Sequence, residues 1–100
     1  MMDERVVVTD EVYKRVESEV LALHQARFSG PPDENDPKSL LEHIKWWQSM
    51  RPPGHIADSN AEQLARNVLC YGAQTRLQQR IKALPEHAQK WLNTQLFSQN

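Results

Sequence analysis

Residues 59–85 read SNAEQLARNVLCYGAQTRLQQRIKALP, and the organisation of the whole chain turns on whether they form one helix or two. Ser59 and Glu62 have the spacing of a capping box, in which each side chain answers a free amide near the other, so a helix is predicted to start there. Ala61, Leu64, Ala65 and Val68 share its first apolar face. Beyond Gly72, Leu77, Ile81 and Leu84 fall almost opposite that face if the helix continues straight. Either the helix breaks at Gly72, with Thr75 and Gln78 as a second capping box, or one long central helix is covered first on one side and then on the other. The continuous helix is the simpler reading, because an isolated glycine costs only about 1 kcal/mol against alanine.

Helices also flank this stretch. Upstream, Thr9 is a predicted N-cap, with Asp10 and Glu11 in the turn where the helix dipole favours negative charge. Val12, Tyr13, Val16, Val20 and Leu23 share a wedge that runs toward Phe28. Gly30 is expected to take the left-handed C-terminal cap, and Pro31 and Pro32 stop the helix. After a polar, acidic connection, Asp36 and Pro37 read as N-cap and first position of a second helix that ends near Met50. Its inner face is Leu40, Leu41, Ile44 and Trp47, and Arg51-Pro52-Pro53-Gly54 breaks it. Downstream, Pro85 opens a last helix with Ala88, Trp91, Leu92 and Leu96 on one face, and the short turn before it predicts an antiparallel neighbour. The fold class is therefore all-α: one domain over residues 1–100, a small bundle of four helices, or five if the third divides, after a short extended N-terminal segment.

In that segment Arg5-Val6-Val7-Val8-Thr9, followed by a helix, resembles the opening of the ribbon-helix-helix regulators, whose paired N-terminal strands read the major groove. Of the positions that would face DNA, Arg5, Val7 and Thr9, only one is basic, and the helix after them is too long for that family, so the resemblance is not adopted. A helix-turn-helix over 59–84 is set aside too, because Gly72 is not placed for a short turn between two equal helices.

Composition narrows the function classes. A chain of 100 residues with 39% hydrophobic and 25% charged side chains is ordinary for a globular domain. No apolar run approaches membrane length, and Cys70 is the only cysteine, so no internal disulfide forms and a cytoplasmic location is expected. The net charge of −1 is not that of a dedicated nucleic-acid binder, yet the first fifty residues carry ten acidic and six basic groups and the last fifty three acidic and six basic. Such halves attract one another or face different partners.

Catalytic patterns are missing. His24, His43, His55 and His87 are dispersed, with no helical zinc-protease spacing, and the three glycines make no phosphate cradle, so neither metal nor cofactor is expected. Asp33, Asn35 and Asp36 begin like a calcium loop, but Pro37 and Lys38 occupy positions that need an oxygen ligand and a turn glycine, which leaves a solvated helix-entry loop. Cys70 reads as a small buried hydrophobe.

Two recognition surfaces stand out. Trp46 points about 100° away from the inner face of the second helix, with His43 and Met50 beside it and Pro52 and Pro53 at its edge. Tryptophan and methionine in an outward stripe suit a partner surface, unless another helix or the proline-rich loop covers Trp46. The second is a basic stripe, Arg66, Arg76 and Arg80, within about 80° on a continuous third helix. The expectation is thus a non-catalytic protein–protein interaction module, such as a small bacterial or phage-type regulator, inhibitor or adaptor, with a protein partner bound through His43, Trp46, Met50, Pro52 and Pro53. The alternative is a nucleic-acid-associated regulator using the arginine stripe, as a homodimer if Val6 to Val8 pair as strands.

Overall fold

The computed structural model describes residues 7–52 and 60–97, and these form four helices and no strand: α1 (Asp10–Phe28), α2 (Pro37–Met50), α3 (Ala61–Lys82) and α4 (Glu86–Phe97). Arg5, Val6, Pro53, His55 and Ser59, and with them strand pairing and the Ser59 cap, lie outside the described residues. The bundle is elongated, 54 × 28 × 23 Å.

Local chemistry sets the helix ends. Thr9 Oγ1 accepts from the Val12 amide at 3.2 Å and starts α1. At its other end the left-handed residue is Ser29 (φ 64°), not Gly30 as the sequence suggests, and the Ser29 amide donates to the Gln25 carbonyl. The helix thus closes one residue early, on a side chain that pays for that conformation. Asp36 accepts from the Lys38 amide and Asp33 Oδ1 from the Asn35 amide, so the acidic connection spends its oxygens on backbone donors. Asn60 caps α3, accepting from the Glu62 and Gln63 amides at 2.8 and 3.2 Å. The Glu62 carboxylate pairs with Arg15 on α1 at 2.7 Å.

Through Gly72 α3 runs unbroken for 22 residues, about 33 Å at 1.5 Å per residue. Five of its six buried side chains, Ala65, Leu69, Ala73, Leu77 and Ile81, are spaced by four, and Cys70 is the sixth, beside Leu69. At 3.6 residues per turn, a four-residue step advances about 40° past a full turn, so this single ridge winds across the helix. That is why Leu77 and Ile81 lie nearly opposite the first predicted face without any break at Gly72. The same spacing governs α1, where Val12, Val16, Val20, His24 and Phe28 form the row that is turned inward, and α4, where Ala88, Leu92 and Leu96 do so. Ridges of this kind pack into the grooves of a neighbouring helix.

Three placements correct the sequence reading. Leu23 and Val68, expected inside, are exposed, because they lie off the four-residue ridges. Leu69, which the expected face omitted, is buried. The last helix does not return as an antiparallel neighbour along α3: α1 and α2 both pack on α3, and α4 packs on α2. Gln89 fastens the turn by donating to the Leu84 and Lys82 carbonyls at 2.7 and 3.3 Å, which satisfies the end of α3. Cys70 is fully buried in the core.

Candidate functional site

The inward row of α1 ends in rings. His24 and Phe28 descend onto α2, where they meet His43, Trp46 and Trp47. Phe28 stacks on His43 with centroids 3.8 Å apart and planes 21° from parallel. Trp46 meets Trp47 edge to face at 4.9 Å, and His24 lies edge-on to Trp46 at 5.2 Å. The contacts of Trp46 with Trp47 and His24 are the T-shaped geometry that ring quadrupoles favour. Arg27 lays its guanidinium 4.5 Å from the Phe28 centroid, a cation over the cluster's outer edge.

Within the cluster, His24 Nε2 and His43 Nδ1 are 3.2 Å apart, so one ring donates and the other accepts. Burial lowers the pKa of both imidazoles. For His43 the neighbouring His24 lowers it further, Glu42 opposes, and Arg27 adds to the lowering. Both rings are therefore favoured neutral at pH 7, sharing one hydrogen bond in a mostly aromatic setting.

This geometry corrects the predicted outward stripe. His43 is 4% exposed, a member of the interior, because the end of α1 stacks on that side of α2. Trp46 is half-buried, closed in by His24, Phe28 and Trp47 of its own chain. Met50 and Pro52 are also half-buried, Met50 against the core. The sequence signal for this cluster was available in the spacing of Val20, His24 and Phe28, which extends the valine row by two ring-bearing steps.

Beside the cluster a groove of about 630 Å³ opens between α1, α2 and the C-terminal half of α3. His24, His43 and Trp47 line it together with Arg76, Leu77 and Arg80. The basic stripe therefore divides. Arg76 and Arg80 border the groove, while Arg66 lies more than two turns away and acts on the thiol of Cys70. Arg80 pairs with Glu34 at 3.1 Å, on the exposed rim. Burial raises the Cys70 pKa, only partly offset by Arg66 and Arg51, which keeps the thiol protonated and a poor nucleophile. Among the described residues no group of three or more His, Cys, Asp or Glu side chains is arranged to hold a metal ion.

On its far side α3 presents another kind of surface. Leu64, Val68 and Tyr71 form a row opposite the buried ridge, with Val68 54% and Tyr71 55% exposed. Arg51, just past the end of α2, donates to Asn67 at 3.3 Å and holds its guanidinium 4.4 Å from the Tyr71 ring. The end of α2 and the outer row of α3 are thereby joined into one surface. None of the described helices is long and apolar enough to cross a membrane. Comparison with family models, with curated proteins and with solved structures finds no match to this chain.

Proposed function

We propose that the chain is a non-catalytic protein–protein interaction module of a regulator, inhibitor or adaptor type, and that it docks through the outer face of α3. The observation that carries this reading is the exposure of Val68 and Tyr71 on a continuous, well-anchored helix whose opposite ridge is fully engaged in the core. An exposed aliphatic and an exposed tyrosine on one helix face, with an arginine over the ring, are the residue types that anchor interfaces. Rigidity matters as well, since a preformed helix loses little conformational entropy when it binds. Met50 and Pro52 flank Arg51, so the sequence-predicted surface adjoins this face at one end.

The nucleic-acid alternative draws less support. Its three arginines do not line one site: Arg76 and Arg80 border a groove that Arg66 does not reach, and Glu34 pairs with Arg80. A phosphate-tracking surface needs several unpaired cations in line.

The test uses the full chain as bait in extracts of its host, with Val68→Glu and Tyr71→Glu as separate variants. The proposal expects a protein retained by the parent chain and lost by both variants, with helicity and thermal midpoint unchanged. Capture that both variants keep, or that vanishes for the parent chain on a modest rise in salt, contradicts it.

A further inference from the structure

We propose that the groove between α1, α2 and the C-terminal half of α3 is a binding site for a small aromatic carboxylate, on a face of α3 separate from the docking row. Its volume, about 630 Å³, lies within the range of small-ligand clefts, roughly 300 to 1,000 Å³. The lining is graded. Trp47, Leu77 and His43 are buried and form its depth, whereas Arg76 and Arg80 are exposed and form its open side. A flat apolar body fits against the indole and Leu77, and an attached anion then falls among the guanidinium groups. Arginine is the side chain best matched to a carboxylate, through paired parallel hydrogen bonds.

Charge selects the ligand further. Among the described residues Arg76 has no carboxylate within ion-pair distance; its guanidinium lies back toward Gly72, where an added Cβ would meet Nη1 at 3.6 Å. Arg80 is held only by Glu34, in a pair whose members are both more than half exposed. Such pairs are weak, so a ligand carboxylate exchanges for Glu34 at small cost. Both α1 and α3 end beside the groove, and helix C-termini carry partial negative charge. Once the ligand has taken the place of Glu34, two arginines set against two helix ends of about half a negative charge each leave a net charge near +1, which suits a single negative charge better than the two of a phosphate. The buried His43, bonded through Nδ1 to His24, adds a polar ring beside Trp47 and Leu77.

Naphthoate, its uncharged counterpart naphthamide, and inorganic phosphate are the probes, each titrated into the isotope-labelled full chain while the tryptophan indole N–H signals are followed by NMR. The expected result is saturable movement of the Trp47 signal with naphthoate, at a Kd below about 1 mM. Naphthamide and phosphate should each bind at least about tenfold more weakly, because each lacks half of the match. Replacing Arg76→Gln and Arg80→Gln together should weaken naphthoate by about tenfold or more. Equal binding of naphthoate and naphthamide would reduce the groove to an apolar crevice and overturn the proposal. Phosphate binding as tightly as naphthoate would overturn it in favour of a bare-anion site, and the absence of any saturation would remove the site. Should the double variant lose its fold, the three probes on the parent chain decide alone.

Discussion

Replacing Gly72 with alanine tests the central claim about α3, that it passes through this glycine as ordinary helix. Gly72 sits mid-helix without a positive φ, and a Cβ built on it meets only the flexible tip of Arg76, at an ordinary 3.6 Å. Alanine therefore adds a methyl group at a half-buried position without a clash, and removes the backbone freedom that glycine surrenders on folding. A helix-interior glycine costs about 0.8 to 1.0 kcal/mol relative to alanine, and a slight displacement of Arg76 lowers the net gain to about 0.5 to 1 kcal/mol. For a chain of this size that raises the thermal midpoint by roughly 2 to 8 °C. Thermal melts by circular dichroism and urea titrations provide the readout, and the urea midpoint should rise while the m-value stays constant. The opposite sign is informative. If the chain turned at Gly72 through the left-handed region, alanine would cost about 1 kcal/mol or more, so a lowered midpoint refutes the continuous helix and with it the winding ridge.

Three other perturbations probe the ends, the ridge and the ring cluster. Ser29→Gly should stabilise the chain by about 1 kcal/mol, since Ser29 adopts φ 64° where glycine is free of strain; a destabilised variant would show that the α1 terminus closes differently. Leu69→Ala should cost about 2 to 5 kcal/mol and Val68→Ala no more than about 0.5 kcal/mol, and equal losses in urea titrations would contradict the four-residue spacing of the core. Stability should fall with acidification below about pH 6.5, because the unfolded chain then binds protons that His24 and His43 resist when folded. Their contribution is fully present above the unfolded pKa near 6.5 and is lost as pH drops through their lowered folded values, so a stability profile flat from about pH 7 to 5 would count against the neutral pair.

The sequence exposed its helices clearly and its contacts poorly, and one geometric fact accounts for both. Caps are local chemistry: Thr9, Asp36 and Asn60 each satisfy an amide two or three residues ahead, so boundaries can be read from neighbouring letters. At the start of α3 the cap is Asn60, next to the serine the sequence suggested, since Ser and Asn are both competent caps and only the path of the chain chooses between them. Inward faces are not local. A wedge drawn at a fixed angle suits a helix lying alongside its neighbour, but ridges spaced by four drift about 40° per step, so a face read near Val16 has moved well aside by Phe28. That drift admits His24 and leaves Leu23 outside, although Leu23 is the more hydrophobic of the two.

The same drift separates the two surfaces proposed for binding. Had α3 buried a straight stripe, Val68 would have gone inward with Leu64, and Arg76 and Arg80 would have stood away from the ring cluster. Because the buried ridge starts at Ala65 and winds through Ala73 to Ile81, it releases Val68 and Tyr71 to solvent and leaves Leu64 half-buried beside them. It also brings Arg76 and Arg80 alongside a helix pair whose ends are rich in rings. Small side chains make this path passable: Ala65 and Ala73 alternate with Leu69 and Leu77, letting neighbouring helices approach between the larger residues. Enlarging Ala73 to leucine should therefore disturb more than stability. At 4% exposure there is no room for the added carbons, so α1 or α2 must shift from α3, at a cost of about 1 to 3 kcal/mol. The groove, of which Ala73 is a wall, should then lose naphthoate affinity, while the outer row keeps its partner. Loss of both activities together, in a variant that still melts cooperatively, would mean that the two faces of α3 do not act as separate sites.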